Sequence, residues 1–99
     1  MIRGTTPTLA IPISFDTSLI SEFYLTFSQL GEEVFTKEIH QCQIAEGYVY
    51  CKLTQEDTLK LKCHCNVKIQ SRCKLATGDT LASREVSEPV EGILMEGEI

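Results

Sequence analysis

The run Cys63-His64-Cys65-Asn66-Val67-Lys68-Ile69-Gln70-Ser71-Arg72-Cys73-Lys74-Leu75 decides the fold class. Its odd positions carry Cys63, Cys65, Val67, Ile69, Ser71, Cys73 and Leu75, and its even positions carry His64, Asn66, Lys68, Gln70, Arg72 and Lys74. Successive side chains of a strand point to opposite faces, so this alternation predicts one strand over 63–75 with a buried face and a wet one. A strand wet on one side belongs to an antiparallel sheet, because strands of parallel sheets are usually covered on both faces.

The same period of two spreads outward in both directions. Leu9, Ile11, Ile13 and Phe15 alternate with Ala10, Pro12 and Ser14, and Phe23, Leu25 and Phe27 alternate with Glu22, Tyr24, Thr26 and Ser28. Pro12 lacks an N–H, which places its strand at a sheet edge or pairs it only through carbonyls. A turn at Leu30-Gly31-Glu32 leads into a weaker strand over 33–39. Glu46-Gly47 turns into a strand over 48–53, where Val49, Cys51 and Leu53 face one way and Tyr48, Tyr50 and Lys52 the other. Ala76-Thr77-Gly78-Asp79 is a further turn before a strand from Thr80 to Glu88, and residues 92–99 form a short last strand or fray. One segment breaks the rule: Thr54 offers a capping hydroxyl with Asp57 three residues on, which predicts a single helical turn crossing between sheets, with Leu59 or Leu61 plugging the core.

Six or seven short strands plus one helical turn predict an all-β fold, a small antiparallel immunoglobulin-like β-sandwich filling residues 1–99 as one domain, with an OB-type barrel as the alternative. The 99-residue length permits one core, and a large cofactor-binding enzyme is not expected. No apolar stretch approaches the roughly 20 residues of a membrane span, and the N-terminus lacks a signal-peptide pattern. No membrane partner is expected; the expected location is cytoplasmic during expression, with the virion as the alternative.

Charge divides the chain into acidic, basic and acidic stretches. All nine bases lie in residues 1–84, where nine acids balance them, and Glu85, Glu88, Glu91, Glu96 and Glu98 follow the last base, Arg84. Lys52, Lys60, Lys62, Lys68, Arg72 and Lys74 crowd residues 52–74. Such a run usually solvates a strand face or pairs with the acidic tail, and a net charge of -5 disfavours a polyphosphate partner.

An odd count of five cysteines argues against a disulfide framework. Cys51, Cys65 and Cys73 share the parity of Val49, Leu53, Val67 and Ile69, so they are expected to pack as small hydrophobes. The sharper alternative is a zinc-stabilised protein, with Cys42, Cys63, Cys65 and His40 as candidate metal ligands. On a strand, C-x-C sends His64 to the wrong face, so that reading needs 63–65 to be a loop; no cofactor is the primary expectation. Cysteine and histidine neighbours on a strand diverge and no orienting acid is evident, so no catalytic residue is assigned and an enzyme is not expected. Outward tyrosines beside bases make the better site: Tyr48, Tyr50 and Lys52, with Lys68, Arg72 and Lys74, are predicted to form an interaction face if the sandwich brings them together. The same layout is the basis of a single-stranded nucleic-acid reading, which two aromatics support weakly.

Met1-Ile2-Arg3-Gly4-Thr5-Thr6-Pro7-Thr8, Phe15-Asp16-Thr17-Ser18-Leu19-Ile20 and Lys52-Leu53-Thr54-Gln55-Glu56-Asp57-Thr58-Leu59 resemble small proteins encoded among the virion structural genes of phages and prophages of Gram-positive gut bacteria. The resemblance covers most of the chain through turn and cap residues. It implies a non-enzymatic virion-associated or assembly protein whose partners are other subunits, by self-association or by docking to virion proteins. That family has no assigned catalytic residues to carry over, and the cysteine-rich run from Cys51 to Cys73 departs from it.

Overall fold

A computed structural model describes all 99 residues. Eight strands are assigned: β1 (Thr8–Pro12), β2 (Ile20–Gln29), β3 (Glu32–Glu38), β4 (Gln43–Ala45), β5 (Tyr48–Lys52), β6 (Asn66–Leu75), β7 (Thr80–Ala82) and β8 (Val86–Pro89). A single helical turn, α1 (Gln55–Leu59), links β5 to β6, and short 3-10 turns occupy Thr17–Leu19 and Ile39–Gln41. The strands form two antiparallel sheets, one in the order β1-β5-β4 and the other β3-β2-β6-β7 with β8 also on β6. Two separate antiparallel sheets make an all-β sandwich rather than a closed barrel.

Local sequence explains most of this. Phe27 and Phe35 are direct cross-strand partners whose rings stack with centroids 4.4 Å apart. The two-residue hairpin between β2 and β3 puts both Leu30 (φ 53°) and Gly31 (φ 79°) in the left-handed region, the twist that matches a hairpin. The Thr54 hydroxyl accepts from the Asp57 amide while the Asp57 carboxylate accepts from the Thr54 amide, completing the capping box foreseen in the sequence. Leu61, rather than Leu59, is the fully buried plug.

Three expectations need correcting. Residues 63–65 are a turn rather than the start of β6, with His64 at φ 65°. Long-range bonds override the alternation there: the Gln29 amide donates to the Lys62 carbonyl and its oxygen accepts from the Lys62 N–H, both at 2.8 Å, while the His64 N–H donates to the Val90 carbonyl. Cys65 is consequently half-buried near Gln29 and Lys62, whereas Cys51 and Cys73 do lie in the core. The expected strand over 80–88 is split into β7 and β8, because Ser83 turns aside and takes over the ladder. Its N–H donates to the Ser71 carbonyl and its hydroxyl accepts from the Ser71 N–H. With β4, a strand that the sequence reading did not anticipate, the count rises to eight. Residues 92–99 form no strand; the tail is pinned by an Arg3–Glu96 ion pair and by two bonds between Gln55 and the Ile99 backbone.

The core is thin. Nineteen of 99 residues are buried, and the radius of gyration of 14.1 Å exceeds the roughly 13 Å of a typical domain of this length. Two hollows open between β1 and the segments of β7 and β8.

Candidate interaction site

The backbone of β1 fixes which of its groups are free. Leu53 N–H donates to the Pro7 carbonyl and Ile13 N–H to the Gly47 carbonyl, so residues 7, 9, 11 and 13 spend their backbone groups on β5. Thr8, Ala10 and Pro12 therefore turn theirs to the open edge. Pro12 sits where its missing N–H costs no ladder bond, which accounts for the edge position its sequence implied.

Below that edge runs a cleft of about 420 Å³ between the two sheets, lined by Leu9, Ile11, Pro12, Leu25, Ile69 and Val86, with Arg84 and Glu88 at its polar rim. It continues into a second hollow of about 290 Å³ under Ile13, Phe15, Phe23, Cys73 and Leu81. Leu9, Ile11, Ile13 and Phe15 stay half-buried because neither β7 nor β8 reaches across to cover them. Val86 (61%) and Leu81 (41%) are exposed for the same reason.

The opposite side is closed. There the chain itself passes from β3 through the 3-10 turn at Ile39–Gln41 to β4, and Lys37 points inward from β3 to meet Asp57 of α1, Nζ to Oδ2 2.5 Å. Both side chains are about nine-tenths buried. Burial pushes the Asp57 carboxyl up, but the Lys37 ammonium and the Thr54 amide and hydroxyl overcome that and hold it below the ordinary carboxylate value. The pair was legible in principle: Lys37 shares the parity of Phe35, and on an inward position only a carboxylate partner makes a lysine tolerable.

The six residues proposed from sequence as one interaction face fall on two. Tyr48, Tyr50 and Lys52 lie on the outer face of the β1-β5-β4 sheet, where the two rings stack 5.7 Å apart beside Ala10, Pro12 and Ala45. Lys68, Arg72 and Lys74 lie on the outer face of the other sheet, on the far side of the sandwich. There, register sets Arg72 opposite Tyr24 and Lys74 opposite Glu22, and Lys68 pairs with Glu85 at 3.8 Å. The Tyr24 hydroxyl donates to Glu22 at 2.8 Å, and that carboxylate raises the phenol's pKa. The bases thus face carboxylates and a phenol of their own chain, as a solvated strand face does.

The metal candidates also separate. The turn at 63–65 meets the backbone condition for a C-x-C ligand pair, yet no three His, Cys, Asp or Glu side chains converge anywhere in the molecule. His40 stands exposed beside Glu38, 3.6 Å away, while Cys42 and the outward Tyr50 and Lys52 line a separate hollow with it. Burial pushes the Cys51 thiol up to about 12 and raises Cys42 and Cys73 above their ordinary value, so these three sulfurs are protonated at neutral pH.

No helix is long and apolar enough to cross a membrane. Compared with known proteins, the chain matches no protein-family model, no curated protein and no solved structure.

Proposed function

We propose that this chain is a non-catalytic interaction module, a virion-associated or assembly protein of a phage or prophage, that docks partner subunits on the open side of its sandwich. The observation that carries the reading is the apolar cleft lying directly beneath the unpaired β1 edge. A partner strand laid along that edge gains the N–H and C=O groups of Thr8 and Ala10, and its side chains reach Leu9, Ile11 and Val86. The virion assignment rests on the sequence resemblance.

Size-exclusion chromatography with light scattering tests the proposal, on the protein alone and mixed with the virion proteins encoded beside it. Association is expected, and Ala10→Pro, which removes an edge N–H, and Val86→Asp, which charges the cleft, are expected to weaken it at least tenfold while circular dichroism stays native. A monomer that ignores those proteins, or a complex indifferent to both substitutions, overturns the reading.

A further inference from the structure

The sulfurs of Cys42 and Cys51 stand in a relation that the interaction role does not use. Gln43 pairs with Tyr50 and Ala45 with Tyr48, so the ladder carried one residue further sets Cys42 opposite Cys51. Cys42 is extended (φ -118°, ψ 164°) and continues the line of β4. Residues 47, 49, 51 and 53 of the β5 region direct their backbone groups at β1, so on the β4 side Cys51 occupies a non-hydrogen-bonded position. Facing residues at such positions lie about 4.5 Å apart between Cα atoms with side chains drawn together, inside the roughly 4.4–6.8 Å that a disulfide spans. Both side chains point to the core face, Cys51 within the core cluster and Cys42 packed against it, and each sulfur acts on the ionisation of the other. Cys51 is fully buried, whereas Cys42 is only partly buried, which makes it the member of the pair that a small oxidant reaches first.

We propose that Cys42 and Cys51 form an oxidative cross-link site, in which a low-molecular-weight disulfide converts the facing thiols into a bridge stapling β4 to β5. The Cys42 thiolate attacks one sulfur of the oxidant, breaking its S–S bond and releasing one thiolate. The Cys51 sulfur, its proton lost to solvent, then attacks Cys42 in the mixed disulfide and releases the second. Two protein thiols are oxidised, and one small disulfide is reduced to two thiols. Attack requires thiolate; burial raises both pKa values, reinforced at Cys51 by the Asp57 carboxylate and only partly offset by the Lys37 ammonium, so closure is slow at neutral pH and accelerates as pH rises. Of the other cysteines, Cys63 and Cys65 share a turn and Cys73 belongs to β6, in the opposite sheet.

Incubating the whole protein with oxidised glutathione at several pH values, then alkylating and digesting with trypsin, tests this directly. Cys42 and Cys51 share the peptide 38–52, Cys63 and Cys65 share 63–68, and Cys73 lies alone. The 38–52 peptide is expected to lose two hydrogens and its reactivity to alkylation, faster at higher pH, and the melting temperature to rise by about 10–20 °C for a closed loop of this length. Cys42→Ser and Cys51→Ala are each expected to abolish the shift; the first lies at a half-buried position, which keeps the test open should the second fail to fold. Oxidation confined to 63–68, a glutathione adduct on Cys42 that never closes, or closure with no change in melting temperature would overturn the proposal.

Discussion

Two lysine–carboxylate pairs differ in their surroundings, and they show how differently this sandwich is built along its two rims. Lys37–Asp57 closes the rim where β3 crosses to β4, with both partners buried and the carboxylate also holding the cap of α1. Lys68–Glu85 lies beside β8 on the open rim, 3.8 Å apart and about 60% exposed on both sides. A buried pair is organised by everything packed around it and fails when one member is removed, whereas an exposed pair is screened by water and contributes little. The closed rim is therefore where the fold is held, and the open rim is where apolar surface is left uncovered, the surface proposed above for docking.

Breaking the closed rim should have the largest effect. Lys37→Met leaves the Asp57 carboxylate buried without its cation, with an expected loss of about 3–5 kcal/mol against a total stability of about 5–15 kcal/mol. Urea denaturation checks it. Adding Asp57→Asn, which removes the charge but keeps a cap acceptor, should restore most of that loss. A double variant no more stable than the single would show that the pair's environment, rather than the unpaired charge, matters.

Acid sharpens the contrast with a smaller effect. The folded-state pKa of Asp57 lies below its unfolded value, so its ionised form stabilises the fold fully above the unfolded pKa of about 3.9. That stability is lost as pH falls through the depressed folded value. Melting temperatures of the natural protein should drop below about pH 4, and those of the Lys37→Met/Asp57→Asn double variant should drop less steeply over the same window. Parallel slopes would assign the acid sensitivity to other carboxylates.

How much of this was legible in the sequence follows the same division. Strand alternation located the core faces of β2, β5 and β6, and Pro12 and the Thr54–Asp57 spacing marked an edge and a helix cap, because each of these signals acts through adjacent residues. What local pattern could not supply came from contacts far apart in the chain. Gln29 bends 63–65 out of the strand from more than thirty residues away, and Ser83 breaks the last strand by bonding Ser71. The single face imagined for Tyr48, Tyr50, Lys52, Lys68, Arg72 and Lys74 failed for a related reason. Parity says which residues point outward but not which of two sheets carries them. The cleft, made by a sheet edge left uncovered, has no sequence period at all.

The open rim should prove nearly indifferent to losing its own ion pair. Lys68 points away from the core between Val67 and Ile69, and its ammonium meets Glu85 at a distance and exposure where water competes fully. Lys68→Ala should therefore shift stability by no more than about 0.5 kcal/mol in the same urea experiment, and raising the salt concentration should erase even that. A loss comparable to Lys37→Met would mean that β8 is held to β6 by charge as firmly as β3 is held to α1. The rim beside the cleft would then be structural rather than spare, leaving the docking surface proposed there without its physical basis.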